Sequence, residues 1–539
     1  MNLSSSATAA VAAAILLRGG SLFTCSQEGT ANAFSIKPIN PVSTIKRAAS
    51  SSARYSYNNN DNEGTEEDDS ALLFSAAPEL PLIIPTKGVP IHLYTDINEV
   101  DPQALQQLRK LAESPLPVDY VSAMPDVHLG KGVTIGSVFA SDKYVCPNAV
   151  GVDIGCGMAA IPIDGLYKDD LTNDQKNQIQ QLLKERIPTG FESYQTPLAG
   201  TVKTLDKIVD QVEPTNVLKD ILVKSDKAKN QLGTLGGGNH FLEVVYAEDT
   251  GQVWIMLHSG SRNIGNTIAQ HYNKVAKDLL EKQGVSTHGL EGLNYMPIES
   301  QEGQDYLKDM EWCQRYAFEN RAAMKKTMLD VVREATGFDQ SQDMRNAVNI
   351  HHNYCACEEC GPDGRKLWVT RKGATSAKLG EMGIIPGSMG TGSYITRGRG
   401  NALSWSSSSH GAGRVMSRTA ANKNISQKDF EESMKGIVCD TSSSVKDEAP
   451  QAYKDLTVVM KNQESLTDIE HRLLPLVNVK GFGKPNKRRI VSPADDELGR
   501  LVFFFFSRTH NLLAYGVVLD IPMHRASMQY SFDLRPCLS

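Results

Sequence analysis

No internal apolar run in this chain approaches the roughly 20 residues that a membrane helix needs; Leu501 to Phe506 stops far short. Cysteine is scarce, nine in 539 residues, which excludes a disulfide-built scaffold and fits a reducing compartment. Cationic excess is missing as well. The chain holds 56 Lys and Arg against 62 Asp and Glu, a net −6, so no global basic field announces nucleic acid, and any such site must be a local patch. Two strings of nucleotide chemistry are absent: the GxxxxGK[ST] phosphate loop and the Lys-x-Asp-Gly nucleophile of ordinary nucleotidyl-transferring ligases. What is present, 40% hydrophobic and 22% charged residues, is the composition of a soluble globular enzyme able to bury a large core.

The chain divides by composition. Residues 1–57 read as a targeting leader outside the fold. An apolar segment runs from Ala7 to Leu17, small residues precede Phe34 in ANAF, and Arg18, Lys46, Arg47 and Arg54 face Glu28. This leader resembles the bipartite plastid-targeting leaders of algae with complex plastids. Plastid delivery is favoured over mitochondrial, and a cytoplasmic enzyme is the expectation if the leader does not act. Residues 58–84 form an acidic, Asn-rich linker, 85–481 the globular body, and 482–539 a C-terminal extension that opens with Lys484, Lys487, Arg488 and Arg489. Helical patterns cover Asp101 to Glu113, Asn173 to Arg186 and Gln301 to Thr336. Strand patterns cover Val133 to Phe139, Val253 to Leu257 and Leu367 to Thr370. The elements are interspersed without regular βαβ alternation, so the expected class is α+β, one large body with mixed sheets.

Glycine-flanked motifs hold the chemistry. GVDIGCGM places Asp153 and Cys156 three apart in a loop, a carboxylate and a thiol that can face one ion. GTLGGGNH exposes backbone N–H groups suited to phosphate and ends at His240. WIMLHSGSR reads as a buried strand delivering His258, with Ser259, Ser261 and Arg262 placed where an oxyanion could bind. In NIHHNY, period-two alternation sends His351 and His352 to opposite faces, so one of them is a ligand. IIPGSMGTGS offers Ser388, Ser393 and several backbone donors. SHGAGRVMSR sets His410 among glycines that let a phosphate reach its ring, with Arg414 to neutralise charge or support the loop. A neutral imidazole can attack phosphorus to form a phosphoramidate. Each motif alone is weak; together they point to metal-dependent phosphoryl or nucleotidyl transfer.

At these motifs the chain resembles the RtcB family of RNA ligases, nearest to its bacterial type. The matching strings include MPDVHLGKG, TIGSV, VGVDIGCGM, VWIMLHSGSR, HHNY, VTRKGA, GIIPGSMG and SHGAGRVMSR, and they extend from Thr86 to Gly481. The resemblance implies a body with a central metal and nucleotide cleft. It implies joining of RNA 3′-phosphate or 2′,3′-cyclic phosphate ends to 5′-hydroxyl ends, with GTP as co-substrate and a guanylyl group carried on His410. It also implies two Mn2+ ions. Asp153 and His240 would fall to one, His258 and His352 to the other, with Cys156 bridging. Asn239, His240, Phe241, Leu242, Glu243, His352, Asn353, Pro386, Gly387, Ser388, Met389, Ser393, His410, Gly411, Ala412, Gly413 and Lys480 would meet the nucleotide. Glu243 can accept from guanine N1–H and its amino group, a pattern that adenine lacks. The donor set would hold zinc as well as manganese.

The resemblance further implies a soluble monomer acting on tRNA halves or broken RNA, with an archease-like activator as a further partner. The alternative in the same chemistry is a metal-dependent RNA-end phosphatase or cyclic phosphodiesterase that does not ligate. A catalytically dead RNA-binding scaffold would lack a ligand or the nucleophile, and no matched position is missing. The string CACEEC, with Cys355, Cys357 and Cys360, follows His352 directly. Without an evident fourth ligand it reads as incidental thiols rather than a zinc site.

Overall fold

Residues 79–286, 292–338, 347–361 and 364–481 are described by a computed structural model. The leader, the linker through residue 78 and the extension 482–539 lie outside the described residues.

Capping chemistry sets the helix ends. Asp101 accepts from the backbone N–H of Gln103 and Ala104 at the start of Pro102–Ala112, and Pro102 removes one N–H that would need a partner. Thr172 and Gln175 form a reciprocal box ahead of Asn173–Arg186. The 36-residue helix Gln301–Thr336 starts on the Ser300 side chain and stops at Gly337, whose φ of 71° ends the helical path. These helices match the expected ones to within a residue.

One strand shifts. The run expected over Val133 to Phe139 is Ile135–Ser141, because Gly132 turns the chain at φ 82° just before it. The folded body also begins earlier than Pro85. Leu82–Ile84 is a strand paired antiparallel with Ile91–Leu93, too short between its flanking prolines to show a period.

The class is α+β. A six-stranded sheet runs in the order Leu82–Ile84, Ile91–Leu93, Val118–His128, Ile135–Ser141, Arg365–Lys372, Asn353–Cys360. It is mixed, because Ile91–Leu93 pairs parallel with Val118–His128. A seven-stranded sheet runs Val348–His351, Gly157–Tyr167, Gln252–Ser259, Phe241–Ala247, Thr467–Lys480, Ser393–Gly398, Met382–Pro386. All its pairings are antiparallel.

The seven-stranded sheet is buried on both faces. Leu242, Val244, Ile255 and Leu257 pack with Met324, Met328 and Val332 of the long helix. Phe241, Val245, Trp254 and Met256 face a second cluster with Met158 and Ile384. Each such side chain contributes roughly 1.5–3 kcal/mol by leaving water, and two buried faces explain why WIML reads as a continuous apolar run. The chain steps from this sheet to the six-stranded one at His352, between the strands Val348–His351 and Asn353–Cys360.

Candidate functional site

Strand register gathers the candidate ligands. Gln252–Ser259 lies between two antiparallel neighbours, with His258 opposite both Met158 and Phe241. The end of the middle strand therefore meets the starts of the outer two. Cys156 precedes one start and His240 the other. His351 pairs with Gly157, which brings His352 to the same edge.

The side chains meet there. Cys156 Sγ lies 3.4 Å from His240 Nε2 and 3.2 Å from His258 Nε2. Asp153 Oδ2 is 3.1 Å from His240 Nε2, and His258 Nε2 is 3.2 Å from His352 Nε2. Cys156 thus stands between an Asp153–His240 pair and a His258–His352 pair. His240 Nδ1 faces the Leu235 carbonyl at 2.9 Å; a carbonyl only accepts, so Nδ1 carries the proton and Nε2 offers its lone pair. Gly260 approaches the Asp153 carboxylate so closely that a Cβ there would overlap it.

Electrostatics suit a cation. Burial, then neighbouring histidines, holds the pKa of His258 and of His352 well below the ordinary range, so both imidazoles stay neutral. Burial pushes the Asp153 carboxyl up, but His240 and Arg262 outweigh it and hold it low. Burial and Asp153 drive the Cys156 thiol far up, a direction that a bound divalent cation would reverse. Asp153 Oδ1 is buried with no hydrogen-bond partner. An orphaned carboxylate oxygen, three imidazoles and a thiol converging in the interior fit a divalent transition metal. His351, the last residue of its strand, is turned away, with Nδ1 2.9 Å from the Gly155 carbonyl, while His352 sits at the step between the two sheets.

His410 adjoins this cluster, its ring 4.9 Å from that of His352. Its Nδ1 lies 2.7 Å from Asp126 Oδ2, which also accepts the backbone N–H of His410 and Gly411 at 3.2 Å each. A buried carboxylate that only accepts fixes Nδ1 as the donor and leaves the Nε2 lone pair free. Gly413, at φ 75°, lets its loop lie against the Asp126 backbone, where a Cβ would overlap. Asp126 has no role from spacing, although its apolar strand is an unusual place for a carboxylate.

His410 lines two cavities. One of about 260 Å³ includes Asp153, Cys156, His352, Asn353 and Lys372. The other, about 790 Å³, is walled by Asn239, Phe241, Pro386, Gly387, His410 to Gly413, Arg418 and Lys480 among others. The remaining expected nucleotide contacts lie off that wall. Leu242 points into the core beneath the sheet, which leaves only its backbone. Met389 is buried in a separate apolar cluster. The Ser388 N–H and hydroxyl bond Thr391 Oγ1 at 2.8 and 3.0 Å, and Ser393 is buried opposite Pro386. Glu243 is buried and accepts from Asn478 Nδ2 at 2.6 Å. Burial pushes its carboxyl up to about 7, against the pull of Asn478 and Lys480.

Glu448, a residue with no sequence signal, organises the basic wall. Its carboxylate meets Lys480 Nζ at 2.7 Å, the Tyr453 hydroxyl at 2.8 Å and Arg414 at 3.4 Å, and also pairs with Arg418. Burial would raise this carboxyl, but Lys480 and Arg418 hold it at about 2. Because that value is depressed, the stability it contributes is present above the ordinary value of 4.5 and lost as pH falls toward 2. Glu448→Ala leaves buried Lys480 unpaired and is expected to cost about 3–5 kcal/mol in urea unfolding.

One sequence expectation changes, and two are settled as expected or within the stated alternatives. Ser259 donates to the Leu235 carbonyl at 2.7 Å and Ser261 to that of Ile154 at 2.5 Å. Arg262 donates to Thr234 Oγ1 at 3.0 Å and the Gly190 carbonyl at 2.9 Å. These bonds brace the loop, so the serines are not oxyanion donors. Arg414 supports its loop, donating to the Asp447 carbonyl at 2.7 Å, so loop support is the role that holds. Cys355 and Cys360 are buried in different clusters and Cys357 is exposed, so the three thiols do not converge. Among the described residues no helix is long and apolar enough to cross a membrane.

A family model described as tRNA-splicing ligase RtcB matches residues 107–481. The RNA-splicing ligase RtcB of Escherichia coli (strain K12) is 38% identical over 417 residues, covering 74% of this chain and 99% of that protein. The RNA-splicing ligase RtcB homolog 1 of Entamoeba dispar is 32% identical, covering 72% of this chain and 83% of its own. The tRNA-splicing ligase RtcB of Methanococcus maripaludis is 30% identical, with 71% and 91% covered.

Proposed function

The chain belongs to the RtcB ligase family, and from that premise we propose that it is a GTP-dependent RNA ligase. It joins 3′-phosphate or 2′,3′-cyclic phosphate ends to 5′-hydroxyl ends, in tRNA splicing or RNA repair. The observation that carries this reading is His410, held by Asp126 through Nδ1 and set between two cavities beside the cluster of Asp153, Cys156 and three histidines.

In the proposed reaction His410 Nε2 attacks the α-phosphorus of GTP. A P–N bond forms, the α–β P–O bond breaks, and pyrophosphate leaves. An oxygen of the RNA 3′-phosphate then attacks the same phosphorus and His410 departs. The 5′-hydroxyl attacks the activated 3′-phosphorus and GMP leaves; a cyclic phosphate is hydrolysed to the 3′-phosphate beforehand. Asp126 keeps the Nδ1 proton in place, so Nε2 is always the nucleophilic end. Asp153, Cys156, His240, His258 and His352 would hold two divalent cations, for which we propose manganese. Bound there, they supply neutralisation of phosphate charge. Lys480 and Arg418 add positive charge along the larger cavity, and Glu243 reads guanine.

Asp126→Asn keeps the shape but brings an amide donor to a site that needs only an acceptor. Single-turnover guanylylation is expected to slow by about 10²–10⁴-fold with GTP binding little changed. Glu243 reads guanine as the carboxylate, so protonation weakens binding. The KM for GTP is expected to rise as pH falls below about 7, by roughly tenfold per unit, and Glu243→Gln should lose that slope.

RNA fragments with matched 3′-phosphate and 5′-hydroxyl ends, incubated with GTP and Mn2+, test the proposal. A joined product that requires GTP supports it. Dephosphorylated or ring-opened ends without joining, and without GTP consumption, would make the protein a phosphatase or cyclic phosphodiesterase. We further propose plastid delivery by residues 1–57, monomeric action and assistance from an archease-like activator. A fluorescent fusion of the leader tests the first: signal outside the plastid rejects it.

A further inference from the structure

We propose that Asn320 and Arg321, consecutive on the long helix, are positioning residues that hold the metal ligands in register; this rests on the metal-site reading above. Met324, Met328 and Val332 of this helix pack against the sheet. Asn320 and Arg321, one turn earlier, are fully buried polar side chains, and each of their bonds reaches a segment bearing a ligand.

Arg321 Nη1 donates to the Gly155 carbonyl at 2.9 Å and the Ser259 carbonyl at 3.0 Å. Gly155 lies between Asp153 and Cys156, and Ser259 follows His258. Arg321 Nε donates to Asn349 Oδ1 at 2.7 Å, and Nη2 lies 3.1 Å from His351 Nδ1. Both partners belong to the strand that leads into His352. Asn320 completes the set. Its Oδ1 accepts from Gly233 N at 2.7 Å and Thr234 N at 3.2 Å, and its Nδ2 donates to the Thr234 and Gly260 carbonyls at 3.2 and 3.1 Å. That segment continues to Leu235, whose carbonyl orients His240. Every segment bearing a candidate ligand is thus tied to two adjacent helix residues.

The chemistry favours positioning over plain stability. Among the described residues no carboxylate pairs with Arg321; its fork faces carbonyls, an amide and an imidazole. A buried guanidinium with no carboxylate in direct contact is a costly way to join helix to sheet where apolar packing is available. What the fork adds is direction, several acceptors held at fixed angles, which a single ammonium cannot reproduce.

Cobalt titration of the metal-stripped full chain provides the test. The thiolate-to-cobalt absorption reports Cys156, and the d–d bands report coordination geometry. Arg321→Lys and Asn320→Ala are expected to weaken Co2+ binding by roughly 10–100-fold and to alter the d–d bands, with helical circular dichroism retained. Unchanged affinity and bands in both variants would overturn the inference. Asn320→Ala decides alone if Arg321→Lys does not fold. If the unsubstituted protein shows no thiolate–cobalt band that Cys156→Ala removes, the metal-site reading itself fails and takes this inference with it.

Discussion

His410→Ala is expected to leave the chain folded and unable to join RNA, with ligation down by at least about 10⁴-fold. The side chain contributes little to the core, since it lines two cavities and its polar bond is to Asp126. Removing the ring leaves Asp126 Oδ2 with the backbone N–H of residues 410 and 411. The stability cost should therefore stay near 1–2 kcal/mol in urea unfolding. Among the described residues, His128 also lines the larger cavity but lacks the Asp126 carboxylate that orients His410. His352 is the nearest imidazole, and its Nε2 is committed to the ligand cluster. Restored ligation in this variant would remove His410 from the reaction; unfolding would show instead that the loop depends on the ring.

Cys156→Ala should separate the metal from the fold in the same way. The thiol sits between the two ligand pairs, so its loss affects both. Removing a ligand should cost more than removing an outer-shell partner, hence over about 100-fold in Mn2+ affinity, read by electron paramagnetic resonance, with ligation lost in parallel. The metal-free variant should unfold within about 1 kcal/mol of the unsubstituted protein, because one small buried group is deleted. Unchanged Mn2+ binding would place the cation elsewhere.

Much of this site was legible in the sequence because local chemistry specified it. Adjacency in HHNY implied that only one of the two histidines is a ligand, and the structure turns His351 away, with His352 at the step between the two sheets. The apolar run before His258 marked a buried strand, and the glycines around His410 marked an accessible ring. What escaped depends on distant partners. Asp126 lies 284 residues from the histidine it orients, and Glu448 meets Lys480 only because the strand Thr467–Lys480 returns beside it. Ser259 and Ser261 looked like anion donors because spacing shows that a hydroxyl is near a loop but not which carbonyl it will meet. Leu82–Ile84 escaped because three residues carry no period.

The most direct measurement uses the full chain, GTP labelled at the α-phosphorus and Mn2+, followed by denaturation and peptide mapping. The account predicts a label that survives denaturation, is released by acid as a phosphoramidate should be, lies on the peptide containing His410, and is absent in His410→Ala. No label with any divalent metal, or a label carried on another residue, would contradict it.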